Sequence, residues 1–484
     1  MVWAPRDLEM RSLLSWRVEV SPRRWILLPI GFALKTREFD GNAMLAFEAA
    51  ERGWGTLLGD KSLRHRANLP RGMLIEKNIA PGTSKKVATS LIRGQKLAAC
   101  CEEGLVYNNA DEYGRRKVEK TTYDLLELFF CWGKNHAEDM LSLGCNGDKL
   151  IRAGNPRFDL HRPELRNVFT QRVEEIREKY APFILVTTKF SHYNGYYSPE
   201  AALAKMRELG KVQTPKQEAE ALGQIAFHRR GFHAFMELVD QTSRTFPDHR
   251  IVVRPHPSER HDPWHAKAAA LPNVEIIFEG NVIEWLLAAD ACIHNNCTTG
   301  VESYLLGKTP ISYRPVCDPQ FDLYLPNALS AEAFDLETAI RLVGAVLRGK
   351  EVSTTEEVQV KADVARRFIE NIEGKRACER FLDALDGADL PEERLAFSVG
   401  PLNEFKSTAQ KTLQHVRKTT KRKGGDPLRV WSGESAARKR GHALRSDNVN
   451  RADLITLLEA ARRVTGRFSD VQIVELEKNL LCIF

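Results

Sequence analysis

Along this chain, apolar residues gather into short unbroken runs. Each run is followed by a polar turn and then by a stretch of helical periodicity. Trp25 to Ile30 (WILLPI) is the first convincing buried strand, and the helix-like Ala43 to Arg52 closes at Gly53. Thr56 to Leu58, Met73 to Glu76, Leu97 to Cys101, Leu128 to Trp132 and Ile151 to Ala153 continue the rhythm. Gly154-Asn155-Pro156-Arg157 is a turn signal near the end of this series, and Asn167 to Tyr180 is a polar helix suited to a linker. A second series opens with Phe183 to Thr187 (FILVT) and continues in Ile251 to Val253, Val274 to Phe278, Ala291 to His294 and Ile311 to Tyr313. Strands of this kind alternating with helices predict parallel sheets covered by helices.

The expected fold class is therefore α/β, with two tandem Rossmann-like domains facing across a cleft and a basic C-terminal extension. The expected division is a poorly defined leader over 1–23, a first Rossmann-like unit over 24–165 and a second over 166–390. A basic linker with a small helical extension follows over 391–484. The polar, helical segment from Tyr193 to about Phe227 reads as an insertion between the first strand and helix of the second unit. Residues 331–348 and 355–385 read as closing helices.

Two stretches carry candidate chemistry. Ala291 to His294 runs into Asn295-Asn296-Cys297-Thr298-Thr299-Gly300, then a helix over Val301 to Leu306 with Glu302 in its first turn. Thr298 or Thr299 is expected to cap that helix. A strand that ends in a polar turn and opens a helix presents N–H groups and the positive end of the helix dipole to an anion. Upstream, Ile251 to Val253 runs into Arg254-Pro255-His256-Pro257, whose prolines fix a turn that presents the imidazole. Open α/β sheets bind ligands at the carboxyl ends of their strands, so the two turns predict one site for a phosphate-bearing ligand.

These residues, together with Gly307-Lys308-Thr309-Pro310, resemble bacterial surface carbohydrate biosynthesis proteins. They are similar to the capsule-type Kdo transferases and to other glycosyltransferases of GT-B architecture. Arg37-Glu38-Phe39-Asp40, Cys101-Glu102-Glu103-Gly104, Trp132-Gly133 and Gly154-Asn155-Pro156-Arg157-Phe158-Asp159 add to the resemblance, which covers roughly 24–320. It implies transfer of a sugar from a nucleotide-activated donor, with a CMP-linked acidic sugar as one candidate, to a glycan or lipid-linked glycan acceptor, without a metal. It also implies that 24–165 is the acceptor domain and 166–390 the nucleotide-sugar domain, and that the His256-Pro257 turn contacts the donor's nucleotide or phosphate.

The candidate donor-binding residues are Arg254, His256, Pro257, Asn296, Thr298, Thr299, Gly300 and Glu302. The candidate general base is Glu103 or, failing it, Glu102, at the end of an apolar strand; an acceptor hydroxyl must lose its proton as the new bond forms. Arg37, Glu38 and Asp40, placed in the first βα loop, are the candidate acceptor contacts. No Asp-x-Asp motif or zinc-spaced His cluster points to a metal, and no cofactor is expected beyond the donor itself. The alternatives are a CDP-polyol phosphotransferase, a sugar-nucleotide epimerase, or a nonenzymatic binder acting through the basic tail.

Composition changes this picture little. The net charge of +7 over 484 residues is modest and does not by itself point to nucleic acid. Its distribution is uneven, with seven Lys/Arg and no acid from Phe405 to Gly424. Such a run suits a solvated linker, an anionic membrane surface or nonspecific nucleic-acid contact. Nine scattered cysteines with no CxxC pair, no signal-like segment and no membrane-length apolar run lead to a cytoplasmic expectation, with peripheral attachment to the inner face of the membrane.

Overall fold

A computed structural model describes residues 16–30, 35–66, 68–208, 210, 212–399 and 450–484. Its strands are β1 (Trp16–Arg23), β2 (Trp25–Ile30), β3 (Gly55–Asp60), β4 (Met73–Glu76), β5 (Lys96–Cys100), β6 (Leu128–Cys131), β7 (Leu150–Arg152) and β8 (Phe183–Thr187). They continue as β9 (Arg250–Arg254), β10 (Val274–Ile276), β11 (Ala291–His294), β12 (Pro310–Tyr313), β13 (Ala331–Ala333), β14 (Glu393–Val399), β15 (Ile473–Glu477) and β16 (Leu480–Ile483). Two large sheets result. The first has the order β15-β16-β3-β2-β4-β5-β6-β7 and the second β10-β9-β8-β11-β12-β13. The second is parallel throughout, and so is the first from β3 to β7.

The architecture is two Rossmann-like α/β units facing across a cleft. Its physical basis is visible in β2 and β8. Every residue of both strands is buried, because helices cover both faces of a parallel sheet and leave no side for water. The second sheet begins in the middle, at β8, and grows outward both ways. The strand order reverses between β8 and β11, which opens a crevice at their carboxyl ends.

The ends of the chain depart from the sequence expectation. From Trp16 the expected leader gives way to β1, which pairs antiparallel with β14. The small C-terminal extension is more than helical. The helix Arg451–Thr465 leads into the β15–β16 hairpin, and β16 pairs antiparallel with β3. Leu480 to Ile483 are all buried there. The expected closing helix over 331–348 starts instead with the short strand β13 and becomes helical only from Leu336.

The last helices of the second unit cross back onto the first. Ala377–Asp386 stacks Phe381 on Phe130 of β6 with ring centroids 3.7 Å apart. Asp159, buried, accepts from the amides of Ala377 at 2.7 Å and Cys378 at 2.9 Å, capping that helix. All nine cysteines are free thiols, eight of them buried. Among the described residues no helix is long and apolar enough to cross a membrane. Likewise, no group of three or more His, Cys, Asp or Glu side chains is placed to hold a metal. The basic run Lys406 to Lys423 lies outside the described residues.

Candidate active site

The register of the second sheet sets the donor side. Thr187 of β8 pairs with Arg254 of β9 on one side and with His294 of β11 on the other. Two residues further on, Lys189, His256 and Asn296 therefore leave the sheet at one level. All three line a cavity of about 620 Å³ between the two halves, together with Pro257, Thr298, Thr299 and Glu302. Arg37, Glu102 and Glu103 of the N-terminal half line the same cavity. The two turns singled out in the sequence thus share one crevice, and the candidate bases face it from the opposite sheet.

His256 is held in a defined state. Its Nδ1 accepts from the Ser258 amide at 3.1 Å, which places the ring proton on Nε2. The turn is anchored by Glu259, a residue with no solvent exposure. Its carboxylate accepts from Thr188 Oγ1 and the Phe190 amide, both at 2.9 Å, and from the His256 amide at 3.3 Å. Burial pushes the Glu259 pKa upward against these donors. One carboxylate therefore ties the loop after β8 to the loop after β9. Sequence reasoning missed it, although a glutamate three residues past His256 at a buried strand end was its signal.

The helix after β11 runs Thr298–Leu305, three residues earlier than expected, with Cys297 at the cap and no side-chain cap bond. Neither Thr298 nor Thr299 is the cap: both stand in the first turn, where amides lack intrahelical carbonyl partners. Gly300 also has a structural part. A Cβ there would overlap the ring of buried His294, so glycine lets the helix sit on that ring. The Gly300 amide is taken by the Cys297 carbonyl at 3.1 Å. Asn296, at φ +48°, holds the neighbouring loop: its Nδ2 donates to Phe321 O at 2.9 Å and its Oδ1 accepts from Asn327 Nδ2 at 3.0 Å. Arg254 lines the cavity but donates to the Glu279 and Gly280 carbonyls, the latter at 2.7 Å. Burial lowers its pKa to about 10.

Glu302 is buried at the cavity wall against Arg157 Nη1 at 3.3 Å, with His161 Nε2 3.8 Å away. Burial would raise its pKa, but Arg157 and His161 outweigh that and hold it below the ordinary value. Arg157 comes from the turn Gly154-Asn155-Pro156-Arg157, where the sequence did not show its partner Glu302. Asn155 Oδ1 accepts from the Arg157 amide at 2.9 Å and starts the short helix that aims it.

On the N-terminal side, Arg37, Glu38 and Asp40 lie in the first turns of the helix Lys35–Glu51 rather than in the βα loop. Arg37 Nη2 lies 3.3 Å from Glu38 and 3.9 Å from Glu103, and its buried Nε has no hydrogen-bond partner among the described residues. Glu38 is buried and pairs with Lys77 at 2.9 Å; burial and the nearby Glu102 push its pKa up. Asp40 accepts from Asn281 Nδ2 of the other half at 2.7 Å, so it joins the halves and does not line the cavity. Glu103 bonds Lys117, and although burial opposes it, Lys117 and Arg37 hold its pKa down at about 2. Glu102 is buried, with Oε1 3.7 Å from Cys100 Sγ and Oε2 without a hydrogen-bond partner among the described residues.

No family model and no curated protein matches the chain. Among solved structures, the wall teichoic acid polymerase TagF aligns at 10% identity and a TM-score of 0.45, over 75% of this chain and 88% of that one. The UDP-GlcNAc 2-epimerase of Methanocaldococcus jannaschii, in complex with UDP-GlcNAc and UDP, aligns at 13% and 0.45, over 76% and 100%. Anabaena Alr3699/HepE in complex with UDP aligns at 10% and 0.39, over 76% and 100%. Likeness of this degree says nothing about the reaction of this chain.

Proposed function

We propose that this protein is a GT-B-type glycosyltransferase. In this reading it transfers a sugar from a nucleotide-activated donor to a glycan or lipid-linked glycan acceptor in bacterial surface polysaccharide synthesis. One observation carries the proposal. A single cavity has an oxyanion-suited edge on one sheet, made by His256 and the Thr298–Thr299 helix start, and two carboxylates on the facing sheet.

The chemistry follows from that arrangement. As the acceptor oxygen bonds to the anomeric carbon, the bond to the donor phosphate breaks and its electrons stay on the phosphate. The His256 Nε2–H and the helix-start amides meet that growing charge, in a site already oriented for it. The acceptor proton goes to a carboxylate of the N-terminal sheet. Glu102 is the better candidate of the two, because a carboxylate held near a pKa of 2 by Lys117 and Arg37 is a weak base. The resemblance to Kdo transferases favours a CMP-linked acidic sugar and transfer without a metal.

A thermal-shift screen of CMP, CDP, UDP and their sugar conjugates tests the reading, since a ligand held by the native state raises Tm. Incubation with any stabilising conjugate then separates the outcomes. A glycoside supports the proposal, whereas a phosphodiester or an isomerised nucleotide sugar replaces it.

A further inference from the structure

The connection from β8 to β9 contains a helix of 31 residues, Pro215–Thr245. Its second half packs on the sheet through Phe232, Phe235, Leu238, Val239, Thr242 and Ser243, whereas the turns before Phe232 bury only Ala221. Yet Gln224, Phe227, His228 and Gly231, which share one helical face, line the cavity. Two glycines interrupt this stretch at a cost to helix propensity. A Cβ at Gly231 would crowd Phe190, and one at Gly223 would lie 3.0 Å from Phe321, so each lets a neighbouring loop close against the helix. The insertion seen in the sequence is therefore a wall of the cavity.

The polar groups on this side of the cavity point to an anion. His228 faces His192 edge-on at 4.8 Å, and its Nδ1 is buried with no hydrogen-bond partner among the described residues. Lys189 lines the cavity beside them. Arg37, Arg116, Lys117, Arg157 and Arg314 of the cavity each have a carboxylate within ion-pair distance. Among the described residues, no such ion pair is found for Lys189. Burial lowers the pKa of Lys189, and burial with Lys189 and Arg116 lowers that of His192 to about 4, so the His192 imidazole is a neutral hydrogen-bonding group beside the lysine. Phe227 and Phe321, with ring centroids 5.7 Å apart, supply an apolar surface alongside.

We propose that Lys189, His192 and His228 form a second anion subsite, distinct from the His256 and Thr298–Thr299 edge. It takes a carboxylate or phosphate borne by the sugar that is transferred or accepted. Lys189 supplies the charge and the imidazoles supply directed hydrogen bonds, while the phenyl rings cover the sugar's C–H face. The assignment rests on the glycosyltransferase reading for the role of the ligand, but its binding is testable separately.

Glucuronate, glucose 6-phosphate and glucose, which share one ring and differ in charge, are titrated calorimetrically into the full chain and into His256→Ala, Lys189→Met and His228→Gln. Thermal melting checks that each variant is folded. The expected result is that at least one charged sugar binds roughly 10-fold or more tightly than glucose. That binding persists in His256→Ala and falls about 10-fold in Lys189→Met and in His228→Gln. Preference for glucuronate assigns the anion as a carboxylate, and preference for glucose 6-phosphate assigns it as a phosphate. The subsite is overturned if neither charged sugar outbinds glucose, or if their binding is lost in His256→Ala and kept in Lys189→Met. Failure of every nucleotide to bind the wild type sinks the donor reading instead and leaves the sugar titrations to decide the subsite.

Discussion

Glu302, in the helix that forms the donor edge, accepts a hydrogen bond at 3.3 Å from Arg157 of the facing half. Both residues are almost wholly buried, so the cleft is fixed at its floor by a charge pair belonging to the two units jointly. This geometry makes Glu302 a joint between the halves. Its expected contact with the donor would have to compete with Arg157.

Removing one partner of a buried pair strands the other charge. Glu302→Gln is expected to destabilise the fold by about 3–5 kcal/mol in urea unfolding. The pH sign follows from the lowered Glu302 pKa: the contribution is present above the ordinary value of 4.5 and is lost as pH falls through the folded value. A Glu302→Gln variant as stable as wild type at neutral pH would show that the pair contributes nothing.

A second acid at the interface titrates the other way. Glu284 is pushed up to about 7 by burial and by Asp40 of the facing half. A raised carboxyl contributes stability that is full below 4.5 and lost as pH rises toward 7, about 3 kcal/mol in all. Unfolding free energies measured from pH 5 to 8 should fall by that order in wild type and stay flatter in Glu284→Gln. Parallel curves would refute the assignment.

Glu102→Gln is expected to lower kcat by about 10²–10⁴-fold with donor affinity kept, and Glu103→Gln to lower it much less. Single-turnover rates at saturating donor decide this. A full loss in Glu103→Gln with Glu102→Gln unaffected would return the role to Glu103, which the Lys117 pair then orients.

Much of the fold was legible because buried parallel strands are written as unbroken apolar runs, as in WILLPI and FILVT. The strands that escaped are short or sit at edges. Leu480 to Ile483 is an apolar run that fits a helix as well as a strand, and only its pairing with β3 decides between them. The paired turns of the site were legible because each follows a strand directly. Their supports were not, because Arg157 acts through Glu302 and Glu259 through Thr188 and Phe190, partners far along the chain that local sequence does not show. Gly300 and Asn296, singled out as donor contacts, also have structural parts that local sequence does not show: one makes room for His294 and the other clamps the loop at Phe321.

In the proposed donor site, His256 and the Thr298–Thr299 turn hold one nucleotide phosphate. Calorimetric titration of CMP, CDP and UDP into wild type, His256→Ala, Thr299→Val and the double variant tests it most directly. At least one nucleotide is expected to bind the wild type, and each single variant to weaken it by roughly 10- to 150-fold without a fall in Tm. The double variant is expected to lose less than the two single losses combined, as for groups sharing one ligand. Nucleotide affinity unchanged in both single variants would contradict it.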